Sequence, residues 1–387
     1  MYLPNFLFAM GQGAVTPVIA LVALDLGSSI PVAGAILGLQ GLGTMIFNIP
    51  AGVLISRFGE GRSMAVATAV LVGVAIGIGF GPSLWLYGTL VFFMGGAWSV
   101  WLLVRLAYAT ESSPLGYRGR VMAVIGGMGR TGHFLGSLIG GLTVIAVGLL
   151  GPFIIQALST VAATLTVTLT ETSRPTFDVG ESNSVTIKRV IGDHLGILWK
   201  AGFVAMVMQV LRSSRQAIIP LWGNQIGIGP GQISLIFSVS SAVESVLFYP
   251  VGILMDRKGR RWAATLSMFL LSIGVASIPF TSDLAALTKV ALLLGLANGL
   301  GTGINMTLGT DLSPSIGRNQ FLGVWRLVSD IGTAGGPLLV AVTTSVASFG
   351  VAAFVVGGVG ALGLTVLWLG VPETLTGRAR SIRWRDE

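Results

Sequence analysis

The chain has no cysteine, two histidines (His133 and His194), and Asp, Glu, Lys and Arg at only 10% of its 387 positions. An ordinary soluble domain carries about 25% charged residues. The absence of cysteine excludes disulfides, thiolate metal sites and cysteine nucleophiles in one step. No H-E-x-x-H, G-x-S-x-G or P-loop phrase occurs, so a membrane-embedded enzyme is not expected, and nothing calls for a cofactor or a metal.

What fills the space is apolar sequence: 53% of the residues are hydrophobic. A helix needs about 20 such residues to cross about 30 Å of hydrocarbon. Twelve stretches qualify, at 3–24, 30–55, 63–82, 85–109, 119–146, 148–170, 200–223, 231–255, 262–281, 286–309, 319–346 and 349–371. The expected class is an all-α integral membrane protein. The first stretch lacks the basic flank and small-residue cleavage pattern of a signal peptide and is expected to be a retained helix. The 56 glycines suit this setting, because small residues let helices approach closely in lipid.

The formal charge of +8 could suggest a nucleic-acid partner, but the placement of the charges argues against one. Seventeen of the 23 Lys and Arg residues fall on one set of alternating loops and tails, and only Lys289 falls on the other set. The positive-inside rule then places both chain ends and the 171–199 connection in the cytoplasm. A cell-membrane protein with cytoplasmic termini is expected.

The phrase GVLISRFGEGR at 52–62 returns as GILMDRKGRR at 252–261, 200 residues on. The same shift lays TESSPLGYRGR (110–120) on TDLSPSIGRNQ (310–320), Gly132 on Gly332, Gly136 on Gly336, and Leu26-Gly27 on Ile226-Gly227. Two six-helix halves related by parallel repetition follow, since six crossings return the chain to its starting side. The expected division is a first bundle at 1–170, a cytoplasmic linker at 171–199, a second bundle at 200–372 and a basic tail at 373–387.

This organisation resembles the major facilitator superfamily over nearly the whole chain, and GILMDRKGRR resembles that family's G-x-L-x-D-R-x-G-R-R loop. The resemblance implies two pseudo-symmetric six-helix bundles working by alternating access. It also implies a cytoplasmic gate formed by Gly52, Arg57, Arg62, Gly252, Asp256, Arg257, Gly259, Arg260 and Arg261. Physically, Gly252 permits close helix contact, Gly259 turns the chain, and Asp256 can sit at a helix N-terminus among arginines. The first copy has Ser56 in place of the acid, so its latch should be weaker.

GRTGHFLGSLIGG at 129–141 resembles the glycine-proline motif of drug/proton antiporters, with Gly132, Gly136, Gly140 and Gly141 present and Ser137 where proline is usual. The eleventh stretch supplies a partial counterpart in Gly323, Gly332, Gly336 and Pro337. Glycines four apart make a smooth face for close helix crossing. The arginine of the fourth helix in proton-coupled exporters is missing, with Val91 near its place.

Seven ionisable groups lie well inside the apolar stretches: Arg105, Arg130, Arg212, Arg215, Glu244, Arg326 and Asp330. Each costs about 2.5–3.5 kcal/mol at the bilayer centre, so a cavity, a partner or a function must offset it. Arg130 and Asp330 are repeat equivalents of opposite charge near mid-membrane. Arg326 and Asp330, four apart, share a helix face, and Arg212 or Arg215 can reach Glu244 from a neighbouring helix. Asp330 and Glu244 are the candidate proton carriers. The five arginines, with Trp98, Trp101 and Trp325, are candidates to line a substrate cavity. His133 is read as a packing residue, and Asp25 and Asp283 as outer helix caps.

The reading that follows is a secondary transporter for a small-molecule substrate, with protons and the lipid bilayer as its other partners, acting as a monomer. Proton-coupled efflux of amphipathic compounds is favoured by the antiporter phrases. Symport, or transport of an anionic or lipid-like substrate, is favoured by three more interior arginines than acids. A non-transporting receptor would be indifferent to neutralising Glu244 and Asp330.

Overall fold

The computed structural model describes residues 2–111, 118–170, 187–314 and 316–374; the side chains of 106–111, 118–123, 170, 187, 188, 248, 249, 256 and 319 are outside that description. The regular structure described is helical throughout. The first half holds α1 (Tyr2–Asp25), α2 (Ile30–Phe58), α3 (Glu60–Gly79), α4 (Leu84–Glu111), α5 (Arg118–Val147) and α6 (Gly151–Thr170). The second holds α7 (Leu195–Gln225), α8 (Pro230–Lys258), α9 (Arg260–Phe280), α10 (Leu284–Asp311), α11 (Arg318–Val346) and α12 (Phe349–Gly370).

Eleven of these are long and apolar enough to cross a membrane among the described residues. The remaining one, α8, has the same 29-residue length as α2. It differs in carrying Glu244 and a serine-rich middle, and it packs between α5 and α10. A helix enclosed by protein on two sides need not be apolar all round.

The 200-residue register extends to the backbone. Bounds of 30–58 and 230–258, and of 84–111 and 284–311, are identical after the shift. Gly59 (φ 80°) and Gly259 (φ 102°) both turn the chain between the second and third helices of their halves. Only glycine takes this backbone region without strain. The two halves share one packing scheme: α1 on α5 and α2 on α4 match α7 on α11 and α8 on α10. They meet along two seams, α2 on α11 and α5 on α8, which the same shift interchanges.

Two helices are broken where the sequence lacks support. Pro17 interrupts α1 between Val15 and Ile19, having no N–H to continue the ladder. The Gly301-Thr302-Gly303 run interrupts α10, with Gly303 at φ 76°. The seventh helix begins at Leu195, five residues before its expected start, and a short helix (Ile187–Asp193) lies in the expected linker. The rest of that linker, 171–186, and the tail from 375 lie outside the described residues.

The expected glycine motif is a packing device. A Cβ on Gly132, Gly136 or Gly140 would run into the α1 backbone at Phe6, Met10 and Ala14 respectively, while one on Gly141 would meet Ser234 and Gly231 of α8. Gly332 and Gly336 seat α11 against Met206, Val210 and Ser214 of α7 in the same way. Pro337 follows inside α11.

Candidate functional site: a polar layer between two seams

The seams are packed unevenly along their length. On α2 one helix face carries Gly34, Gly38, Gly41, Asn48 and Gly52 at spacings of three, four and seven. Added Cβ atoms would meet Ala341 at Gly34, Leu338 at Gly38 and Ala334 at Gly41, all on α11, yet nothing lies within 4 Å at Gly52. The facing stripe of α11 ends the same way, with open space at Gly323, as does α8 at Gly252. The halves are therefore closed together away from the basic loops and parted beside them. The close contact expected at Gly252 is absent among the described residues, with nothing within 4 Å of a Cβ added there.

Where the packed and open stretches meet, polar side chains cross both seams. On the α2/α11 seam, Asn48 Nδ2 donates to Asp330 Oδ2 at 2.6 Å, and Ser99 Oγ of α4 donates to Asn48 Oδ1 at 2.6 Å. Ser99 so fixes the amide with its donor side toward the acid. Arg326 Nε donates to the same Asp330 oxygen at 3.3 Å. Asp330 is buried, and the Arg326 side chain is 38% exposed.

On the α5/α8 seam, Glu244 lies between two guanidinium groups. Arg215 Nη1 of α7 is 2.5 Å from Oε1, and Arg130 Nη1 of α5 is 3.9 Å from Oε2. Arg215 also donates to Ser240 Oγ (3.1 Å), which donates to the Ala291 carbonyl. Asn298 of α10 bonds to the Glu244 side chain.

The other interior arginines meet neutral partners. Arg212 bonds to the Gly301 carbonyl at the break in α10 and reaches Gln209 Oε1 at 3.5 Å, and Gln209 bonds to Thr333. Arg212 thus does not take Glu244, which Arg215 holds. Arg105 Nη1 donates to Asn5 Oδ1 at 2.9 Å, and Asn5 Nδ2 to the Ile125 carbonyl. The tryptophans differ from their expected cavity-lining place. Trp101 is 2% exposed and stacks on Phe8 at 4.6 Å, and Trp325 stacks on Phe321 and donates to Asn305. Trp98 is half-buried with its Nε1 unpartnered. The flat faces of Trp101 and Trp325 are spent on packing.

The uncharged members of the layer, Asn5, Asn48, Ser99, Gln209, Ser240, Asn298 and Asn305, were not singled out by sequence. Their signal is an amide or hydroxyl in an otherwise apolar run, weaker than a charge because serine and threonine bond back to their own helix at little cost. Asp283 caps α10 as expected, accepting from the Ala286 N–H at 2.8 Å.

At the basic face the second copy of the repeated phrase staples its own half. The Arg260 and Arg261 N–H groups donate to Glu373 Oε1 and Oε2 at 2.9 and 3.1 Å, placing a carboxylate on the first turn of α9, where the helix dipole favours it. Arg260 also pairs with Asp311 of α10 at 3.2 Å. Arg261 bonds to the Trp368 carbonyl and lies over its ring. These contacts join α9, α10 and the end of α12 within the second half; of the other expected gate residues, Arg57, Arg62 and Arg257 are exposed. The Asp256 side chain lies outside the described residues. A pocket of about 300 Å³ at this face, lined by Asp193, His194, Lys200 and Leu312 among others, shares no residue with the polar layer.

Two six-helix bundles in parallel repeat, meeting at a charged layer and parted on one side, define a membrane transporter architecture. The chain belongs to the Major Facilitator Superfamily, whose model matches residues 1–215 and again 201–383. Among solved structures it is similar to a POT family transporter in complex with a thioalcohol-conjugated peptide (TM-score 0.75, 10% identity, 95% of this chain and 93% of that one). It is also similar to the nucleoside transporter NupG (0.72, 12%, 95% and 97%) and to a D-xylose-proton symporter (0.72, 14%, 96% and 97%). Identities this low establish a shared fold. No curated protein matches the sequence.

Proposed function

We propose that this protein is a proton-coupled secondary transporter working by alternating access, with the basic face cytoplasmic and the described arrangement open to that side. The observation that carries the reading is the seam of α2 and α11, packed from Gly34 to Gly41, bridged at Asn48 and Asp330, and open at Gly52 and Gly323. A static scaffold has no use for glycines on an unpacked stretch of the same helix face. In a rocking molecule those glycines receive the partner helix in the opposite state.

Glu244 and Asp330 are the proposed coupling groups. Each is buried against arginine at a seam, so protonation removes a charge that holds neighbouring helices together. The cargo is a small organic solute with an anionic group, since five interior arginines face two acids and a carboxylate matches a guanidinium in shape and charge. Efflux of amphipathic compounds in exchange for protons is the second reading. It rests on the glycine phrase of α5, three of whose four glycines have a packing role against α1. The D-xylose-proton symporter shows the fold in a protein titled for symport, which suits the first reading.

The test is reconstitution in liposomes under an imposed pH gradient, following anionic amphiphiles and cationic dyes with wild type, Glu244→Gln and Asp330→Asn. Gradient-driven movement lost in either variant supports the reading and locates the coupling. Movement indifferent to the gradient and to both substitutions would sink it.

A further inference from the structure

The pocket at the basic face takes no part in the polar layer and has a chemistry of its own. At about 300 Å³ it stands at the lower end of small-molecule sites, and it lies between the start of α7, the end of α10 and the end of α12. Its walls set three ionisable groups, Asp193, His194 and Lys200, against Leu312, Gly370 and Pro372. Asp193 is met by Arg189 at 3.8 Å, one helical turn away. The His194 ring is built into the wall, with Nδ1 3.1 Å from the Val190 carbonyl and an edge contact with Phe321 at 5.9 Å. Lys200 has no ion-pair or hydrogen-bond partner among the described residues. Its stem is nonetheless placed: a Cβ on Gly370 would lie 3.0–3.4 Å from the Cδ, Cγ and Cβ of Lys200, so the missing side chain lets the lysine lie across the end of α12. One positive charge is thus held in the pocket without an opposite.

The neighbours of the wall residues show which kind of anion fits. Trp199, next to Lys200, is 73% exposed, and Leu369, next to Gly370, is 84% exposed. Leu195, four residues before Trp199 on the same helix face, is exposed as well. Tryptophan favours the head-group level of a bilayer. A soluble anion gains nothing from these apolar flanks, whereas an amphiphile with one negative charge in its head uses both the pocket and its surroundings. We propose that the pocket binds the phosphodiester head group of an anionic phospholipid from the leaflet on the basic side, with Lys200 as its counter-ion and the acyl chains lying over Trp199 and Leu369. Such a site is independent of what the protein carries. It also touches the staple of the second half: Leu312 and Pro372 adjoin Asp311 and Glu373, the acids that hold Arg260 and the first turn of α9. A filled pocket keeps the ends of α10 and α12 in place beside those acids, and a ligand bound only by the folded state stabilises it.

The test is a titration of purified full-length protein in detergent with phosphatidylglycerol, read as the thermal midpoint by tryptophan fluorescence. Phosphatidylglycerol should raise the midpoint of wild type to a plateau. Phosphatidylcholine, whose head group carries a compensating positive charge, should raise it less at equal mole fraction. Lys200→Gln keeps a stem over Gly370 and removes the charge; it should need about fivefold more phosphatidylglycerol for half the effect, the contribution of one interfacial lysine. Gly370→Leu fills the pocket and should abolish the effect; if that variant fails to fold, Lys200→Gln, a change on an exposed side chain, decides. Lys258→Gln, which removes an exposed charge from the same face, should titrate as wild type does. Equal weakening by Lys200→Gln and Lys258→Gln, equal effects of the two lipids, or no midpoint shift with phosphatidylglycerol in wild type would overturn the site. Equal stabilisation by free glycerol phosphate at the same concentration would replace the lipid with a soluble phosphate and overturn it too.

Discussion

Replacing Gly136 by alanine places a methyl group against α1 with nowhere to go. The added Cβ would lie 2.7 Å from the Met10 carbonyl carbon and 2.9 Å from its Cα, with the carbonyl oxygen closer still. All three are backbone atoms, so no rotamer change relieves them, and ordinary contact with all three at about 3.4 Å or more requires α1 to back away by more than about 1 Å. Overpacking of this kind costs typically about 1–3 kcal/mol, and the gain of alanine over glycine in helix propensity returns at most about 1 kcal/mol. A net loss of about 1–2 kcal/mol is expected, read as a fall of several degrees in the thermal midpoint by tryptophan fluorescence, a probe suited to a chain with nine tryptophans and no cysteine. Gly52→Ala is the matched control: with open space at its Cβ, it should keep or slightly raise the midpoint through the same propensity gain while slowing transport, because the seam must close there in the opposite state. Equal midpoints for Gly136→Ala and wild type would refute the packing argument. A Gly52→Ala variant with normal transport would refute the closing seam.

Other expectations are simpler. Tyr87→Phe removes a hydroxyl that donates to the Ile19 carbonyl at 2.7 Å in a fully buried place, and should cost about 0.5–1.5 kcal/mol in the same melting assay; no change would mean the bond contributes nothing net. Glu373→Gln takes the charge from the first turn of α9, and about 0.5–2 kcal/mol of capping is at stake; high salt should shrink the difference from wild type, and a difference insensitive to salt would remove charge from the explanation. Asn48→Asp puts a second acid against Asp330, so the α2/α11 seam should part at neutral pH and close in acid. Unchanged labelling, between neutral and acid pH, of a cysteine introduced at Leu338, which faces Gly38 across the seam, would contradict this.

Much of the architecture was legible because lipid imposes long apolar helices and because duplication left the same phrase in both halves. Gly259 turned as expected, the interior pair Arg326–Asp330 formed, and of the two candidates for Glu244 it was Arg215 that met it. Less legible was what each charge met across a seam. Arg130 reaches Glu244 from 114 positions away in sequence, and Asn48 reaches Asp330 over a separation of 282. Neither separation matches a helix period or the repeat, so no local pattern could report it. Arg260 and Arg261 were expected at a cytoplasmic gate, but a positive loop looks the same whichever neighbour it binds; Glu373, beyond the last helix, is the partner the sequence did not point to.

The position of Asn48 within α2 has a mechanical consequence. At about 1.5 Å per residue, about 15 Å of helix extends beyond it to Phe58 and about 27 Å to Ile30. If the halves rock about this layer, a tilt of about 10° carries those two ends through about 3 and 5 Å while the fulcrum hardly moves. Short, directional bonds such as Asn48 to Asp330 tolerate little stretching, and they sit where the lever arm is nearly zero. Smooth glycine surfaces, which slide without interlocking, occupy the arms.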